Sequence, residues 1–184
     1  MKMNPTLKII LIAIPVVILL FLLVAAMQSS SYRVTRSVVI NAKPNVVFPH
    51  VNVVKQWEAW SPWGKVDPSM KLTYAGPASG VGASYSWTGN NQVGEGHSTI
   101  AESRANEFIR FKLDFTKPMA STATAEFTFK AQGSGTEVTW MSEGEKPFMM
   151  KAMCLFISMD KMLGGNMESG LADLKKTAEA PAPK

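Results

Sequence analysis

Residues 107–131 read EFIRFKLDFTKPMASTATAEFTFKA. Ile109, Phe111, Leu113 and Phe115 fall on one side of an alternating run, with Arg110, Lys112 and Asp114 on the other. After the turn pair Lys117-Pro118 the alternation resumes, and Ala125, Phe127 and Phe129 face away from Glu126, Thr128 and Lys130. A period of two belongs to strands with one wet face and one packed face. Strands joined by so short a turn pair antiparallel.

The same pattern extends to both sides. KLTYAG, GASYSWTGN and GEGHSTIAES precede this stretch and TEVTWMSE follows it. Gly76-Pro77, Gly89-Asn90-Asn91, Arg104-Ala105-Asn106 and Gly133-Ser134-Gly135 divide them, as turn residues do. In TEVTWMSE, Val138 and Trp140 oppose Glu137 and Thr139. The result is a six-stranded meander with one greasy face.

Upstream, YRVTRSVVI (Tyr32–Ile40) is β-branched and alternating, a seventh strand that comes first in the chain. Pro44 suits the first turn of a short helix over Asn45–His50. Pro49 limits it, and a second short helix is expected over Val53–Ala59. Downstream, Ala152, Phe156, Met159, Leu163, Met167, Leu171 and Leu174 recur every three or four residues. That spacing predicts one long helix over Phe148–Lys176. Gly164-Gly165 in its middle implies a bend or a close approach to a neighbouring backbone. The closing AEAPAPK (178–184) reads as a disordered tail.

The apolar content is unevenly placed. Hydrophobic residues make up 46% of the 184 and charged ones 18%, and IILIAIPVVILLFLLVAAM (9–27) carries no charge at all. These are about 19 residues, and about 20 cross a bilayer core as a helix. Val24 and Ala26 also fit a signal-peptidase site, but secretory apolar regions run to only about 7–15 residues. The length favours an uncleaved anchor, and no cysteine follows the run to carry a lipid. Lys2 and Lys8 before the span nearly balance Arg33, Arg36 and Lys43 after it. The order of basic start, apolar run and folded domain places the domain outside, on a single-pass anchor in the cytoplasmic (inner) membrane. The expected divisions are residues 1–8, the anchor 9–27, a linker 28–31, a domain 32–177 and a tail 178–184.

The formal charge of +5 is scattered, without the clustered footprint that nucleic acid requires. Cys154, the only cysteine, sits between Met153 and Leu155 and reads as an inert buried thiol. His50 and His97 have no partner at metal-ligand spacing, so neither zinc nor another metal is expected. Gly80, Gly82, Gly89, Gly94 and Gly96 are not followed by the Lys-Ser/Thr of a phosphate loop, and they read as bends in strands. Met149, Met150, Met153, Met159 and Met162 raise Cu(I) binding, although thioethers also fill irregular apolar space. No GxSxG elbow is present, and the inward positions are nearly all apolar, Tyr85 and Ser98 excepted. That pattern argues against an enzyme.

RSVVINAKPNVVFPHVN, WEAWSPWGKVDPSM, YAGPASGVGASYSWTGN, VGEGHSTI, GTEVTWMSEGE and GGNMESGLADLKK together resemble the START-related, polyketide cyclase/dehydrase-like superfamily. The resemblance is to its membrane-anchored members in particular. It implies an α+β helix-grip fold: a curved, seven-stranded antiparallel sheet around a long C-terminal helix, with two short helices after the first strand and an N-terminal transmembrane helix. Between sheet and helix it implies a cavity for a hydrophobic or amphipathic small molecule such as a lipid or polyketide, with no cofactor. The expected lining is Trp60, Trp63, Tyr85, Trp87 and Ile100 from the first half of the domain. Phe111, Phe127, Trp140, Phe156 and Met159 complete it. Trp57, Trp60 and Trp63 either close one end of a core or line the rim of this pocket. A cyclase or dehydratase-type enzyme and a packed protein-interaction domain are the alternatives.

Overall fold

A computed structural model describes residues 4–181. Strand β1 (Ser31–Ile40) leads into helix α2 (Pro44–Asn52), a 3₁₀ turn (Val54–Ala59) and a single-turn helix α3 (Trp63–Val66). The meander follows: β2 (Lys71–Ala75), β3 (Ser84–Thr88), β4 (Glu95–Arg104), β5 (Phe108–Lys117), β6 (Ser121–Gln132) and β7 (Gly135–Glu145). All pairs are antiparallel in one seven-stranded sheet of order β1-β7-β6-β5-β4-β3-β2. The sheet is thus a meander closed by the return of β1 beside β7. Register shifts in β4 next to Gly96 and between Ile100 and Glu102 bend the sheet, as bulges do. This is the helix-grip architecture that the resemblance implies.

Alternation fixes the concave face. The row Arg36, Trp140, Phe127, Ile109 runs across four strands, and the next row holds Val34, Ser142, Ala125, Phe111 and Ile100. Tyr32, Gly144, Ala123, Leu113, Ser98 and Tyr85 form the row beyond. Glu126, Lys112 and Glu143 lie on the convex side, where Arg110 is bound to Glu102 and Glu126.

The C-terminal segment departs from expectation. It is not one helix but two, α4 (Phe148–Met153) and α5 (Met159–Glu179). The break falls at residues 154–158, where the Ser158 side chain caps α5 by accepting from the Lys161 backbone N–H. Gly164-Gly165 lies inside continuous helix. Gly164 is needed for close approach, but to a side chain: a Cβ there would overlap the Arg36 guanidinium. Arg36, on the concave face of β1, donates to Asp160 at 2.8 Å and Glu168 at 2.5 Å and so clamps α5 across the sheet. The helix also runs past the expected domain end, with Ala178 buried and Glu179 accepting from the Asn41 backbone N–H. The remainder of the expected tail, 182–184, lies outside the described residues, as does Lys2 at the other terminus.

Helix α1 (Pro5–Met27) stands beside the domain. Ile9–Met27 is long and apolar enough to cross a membrane, a property it shares with signal sequences. Along Ile9–Met27 the surface is exposed except at Ala25, which is fully buried.

Candidate functional site: the concave face of the sheet

The concave face has two halves. At the end where β1 runs into α2, the distal end, large rings interlock. Trp57 and Trp60, three residues apart, share a face as their spacing requires, and their centroids lie 4.4 Å apart. Trp57 meets Phe111 edge-on at 5.1 Å and Phe127 at 5.5 Å, while Phe127 stacks on Trp140 at 5.0 Å. Trp60, Phe111 and Phe127 are at most 1% exposed. Helix α5 presses on this cluster through Gly170, against Trp140 and Pro62. The distal half is solid core.

The proximal end is the one from which β1 starts and β7 leaves. Here the central strands carry small residues, Ala123 and Ala125 on β6 and Ser142 and Gly144 on β7. Tyr85, Trp87, Phe115 and Leu113 surround them, with Trp87 lying flat over Gly96, where a Cβ would collide with its ring. Met150, Cys154, Met162 and Leu163 pack onto the core from α4 and α5, and Met159 is buried among them.

Polar atoms in this interior are few and unevenly satisfied. Of the buried polar residues, Ser84 donates to the Ala75 carbonyl and Thr136 to the Ala42 carbonyl. Asp67 accepts from Asn90 N–H and from both N–H and Oγ of Ser69. These hydrogen bonds hold its carboxyl below the usual range and tie the β3–β4 turn to α3. Ser98 is different: it is 1% exposed, and its Oγ makes no well-formed hydrogen bond, only a weak approach to the Tyr85 hydroxyl across the strands. The indoles show the same contrast. Trp57 donates to the Val51 carbonyl, Trp60 to His50 and Trp87 to Val93. Trp140 Nε1, equally buried, donates to nothing. Buried indole N–H groups ordinarily find an acceptor. Trp57 lies between the two groups, 6.1 Å from the Trp140 ring and 6.3 Å from that of Tyr85, whose neighbour across the strands is Ser98.

The phenols are neutral donors. Burial pushes Tyr85 up to about 12, with Ser98 offsetting part of the rise. Tyr32 is raised by burial, and Tyr74 by burial together with the Glu58 carboxylate that accepts from its hydroxyl at 2.6 Å. Together with Arg36 these are the titratable groups of the concave face among the described residues. They can donate hydrogen bonds and stack on a ligand, but none is a carboxylate or imidazole. The described residues hold no group of three His, Cys, Asp or Glu.

Of the expected lining residues, the structure gathers Trp60, Tyr85, Trp87, Ile100, Phe111, Phe127, Trp140 and Met159 on this interior. It leaves two outside. Trp63 opens α3 half-buried and apart from the core cluster. Phe156 is 82% exposed and stacks on Phe21 of α1, at 6.1 Å. It lies in the break between α4 and α5, so the helical stripe that suggested an inward position does not apply to it. Trp57, Met150 and Cys154 also belong to the interior; the spacing to Trp60 signalled the first and its apolar neighbours the last, although the Cys154 thiol is only half-buried. Met149 and Met153, two of the five methionines considered for copper, point away and are exposed.

Two open depressions lie at the margins. One, of about 660 Å³, opens at the proximal end between β5, β6 and α4, bordered by Phe115, Ser121, Lys146, Phe148 and Lys151. The other, of about 480 Å³, lies on the convex side near Arg33, Lys112 and Glu143.

None of the curated proteins matches this chain in sequence. Solved structures share its fold at low identity. The protein TTHA0849 of Thermus thermophilus is 19% identical with a TM-score of 0.58, over 80% of this chain and 97% of that one. Protein CV1439 from Chromobacterium violaceum is 15% identical with a TM-score of 0.57, over 83% and 99%. The di-domain ARO/CYC BexL of the BE-7585A biosynthetic pathway is 14% identical with a TM-score of 0.60; the match covers 86% of this chain and 53% of BexL. These likenesses show a shared fold. Residues 31–179, nearly the whole described domain, match the family described as Polyketide cyclase / dehydrase and lipid transport, and the chain belongs to that family.

Proposed function

We infer that this chain is a membrane-anchored binding protein for a hydrophobic or amphipathic small molecule carrying at least one oxygen acceptor. The observation that carries the reading is the buried indole N–H of Trp140, which meets no acceptor, together with the Ser98 hydroxyl that Tyr85 engages only weakly. A polar group left unpaired away from water costs about 1–3 kcal/mol, and a ligand carbonyl, ether or hydroxyl oxygen would relieve it. The small residues of β6 and β7 give the ligand body room, and the thioethers of α4 and α5 adapt to its shape. The groove at the proximal end is the proposed mouth. The family description and the BexL likeness support a greasy ligand. Neutral phenols in place of a general base favour binding over cyclisation.

Packing supports α1 as a retained single-pass anchor. A cleaved leader has no need of a docking place, whereas Ala25 is buried and Phe21 stacks on the domain. Native mass spectrometry of the full-length protein from mild detergent tests the ligand. A co-purified lipid-like mass, lost in a Ser98→Ala/Trp140→Phe double variant, is the expected result. Absence of any bound mass, with the double variant as stable as the parent or more so, would leave a packed interaction domain, the reading that the interlocked distal rings favour.

A further inference from the structure

Helix α4 and the turn after it have no place in the fold that explains their composition. Residues 148–157 read FMMKAMCLFI, with Lys151 the only charge. Helix α4 has no fully buried residue. Phe148 is 48% exposed, Met149 60%, Met153 42%, Phe156 82% and Ile157 41%. Five large apolar side chains facing outward within ten positions form a contiguous patch, which soluble surfaces avoid unless something covers it.

The neighbouring element identifies the cover. The patch adjoins α1, whose exposed surface over Ile9–Met27 is apolar throughout, and Phe156 stacks on Phe21. Phe21 lies six residues before the helix end at Met27, which places Phe156 about 9 Å down the helix axis from that end. Interfacial helices sink their apolar side about 5–10 Å into the headgroup–acyl boundary. Just past the apolar run, the Lys146 backbone N–H donates to the Ser30 carbonyl at 2.7 Å. Lys146 and Lys151 are therefore held near the level where lipid phosphates would lie. Resting on the reading of α1 as a membrane span, we propose that α4 and residues 154–157 are embedded in the outer part of the same bilayer and seat the domain's proximal end on the membrane. The groove bordered by Phe148 and Lys151 then opens onto lipid, and a ligand passes between bilayer and interior without crossing bulk water.

Spin labels on the full chain in liposomes of neutral and anionic phospholipid test this. In a Cys154→Ser background, Met149→Cys and Phe156→Cys report on the patch. Val17→Cys reports on the middle of α1 and Val81→Cys on the exposed loop at the distal end. Collision with oxygen and with a water-soluble nickel chelate gives the depth of each. Labels at 149 and 156 should be several-fold more accessible to oxygen than to nickel, like 17 and unlike 81. Labels at 149 and 156 that behave like 81, while 17 reports lipid, overturn the embedding and leave the anchor standing. Labels shielded from both reagents and broadened by a second spin also overturn it, in favour of a contact between two copies. A water-exposed label at 17 removes the anchor reading, and this proposal with it.

Discussion

The two halves of the concave face are built from the same strands but solve different problems. In the distal half each ring finds a ring, and two of the three indole N–H groups, those of Trp57 and Trp60, find a carbonyl. In the proximal half the central strands carry Ala123, Ala125, Ser142 and Gly144, and Met150 and Met162 pack onto the core from the helices. Ser98, at its edge, and Trp140, at the seam between the halves, keep polar atoms without a well-formed hydrogen bond. Natural interiors leave few such atoms unpaired. One half is interlocked ring against ring, and the other carries the smaller side chains.

The sharpest way to break this contrast is to cut material from the distal half. Phe127→Ala removes a fully buried ring that touches Trp57, Trp60, Phe111 and Trp140. It should destabilise the domain by about 3–5 kcal/mol in urea unfolding. The converse is to add material to the proximal half. Ala125→Leu in a filled core would cost about 1–3 kcal/mol. If the half is open, stability should change by less than that, and the co-purified ligand mass should disappear. Ser98→Ala is smaller and of opposite sign in the empty protein. Deleting so weakly engaged a hydroxyl should leave stability unchanged or raise it by up to about 1 kcal/mol, while weakening the ligand roughly tenfold. A loss of stability would show that Ser98 already has a firm partner.

Much of this contrast could be read from the sequence, and the part that could not has physical reasons. A period of two named every strand and assigned Ile109, Phe111, Phe127, Val138 and Trp140 to one face, because strand side chains can point only two ways. The spacing of Trp57 and Trp60 likewise made them neighbours. The helix break did not show, since Ala152, Phe156, Met159 and Leu163 keep helical spacing straight through it. The signal was there in Ser158 followed by Asp160, a capping residue with an acid in the first turn, but the glycine pair six residues on looked the stronger interruption. Phe156 was consequently assigned inward. The poorly satisfied atoms lay beyond any local pattern: whether Trp140 finds an acceptor depends on strands and helices far away in the chain.

The smallest effect concerns the clamps that hold α5 over both halves. Arg36 binds Asp160 and Glu168 toward the helix start, and Lys65 binds Asp173 further along. The hydrogen bond from Arg36 holds the Asp160 carboxyl below its usual range, and that from Lys65 does the same for Asp173. A carboxyl with a depressed folded-state value contributes stability that is fully present above its unfolded value, about 3.9, and is lost as pH falls through the folded one. The melting temperature should therefore be flat from pH 7 to about pH 5 as far as these groups are concerned and fall below about pH 4. Arg36→Met should make the fall shallower by removing the Asp160 share, while leaving the Asp173 share in place. Exposed pairs contribute little each, so the difference between the two profiles should be slight. An Arg36→Met profile as steep as the parent's would mean that the helix is held by its apolar face alone, through Met167, Leu171 and Leu174, and that the charges only decorate its rim.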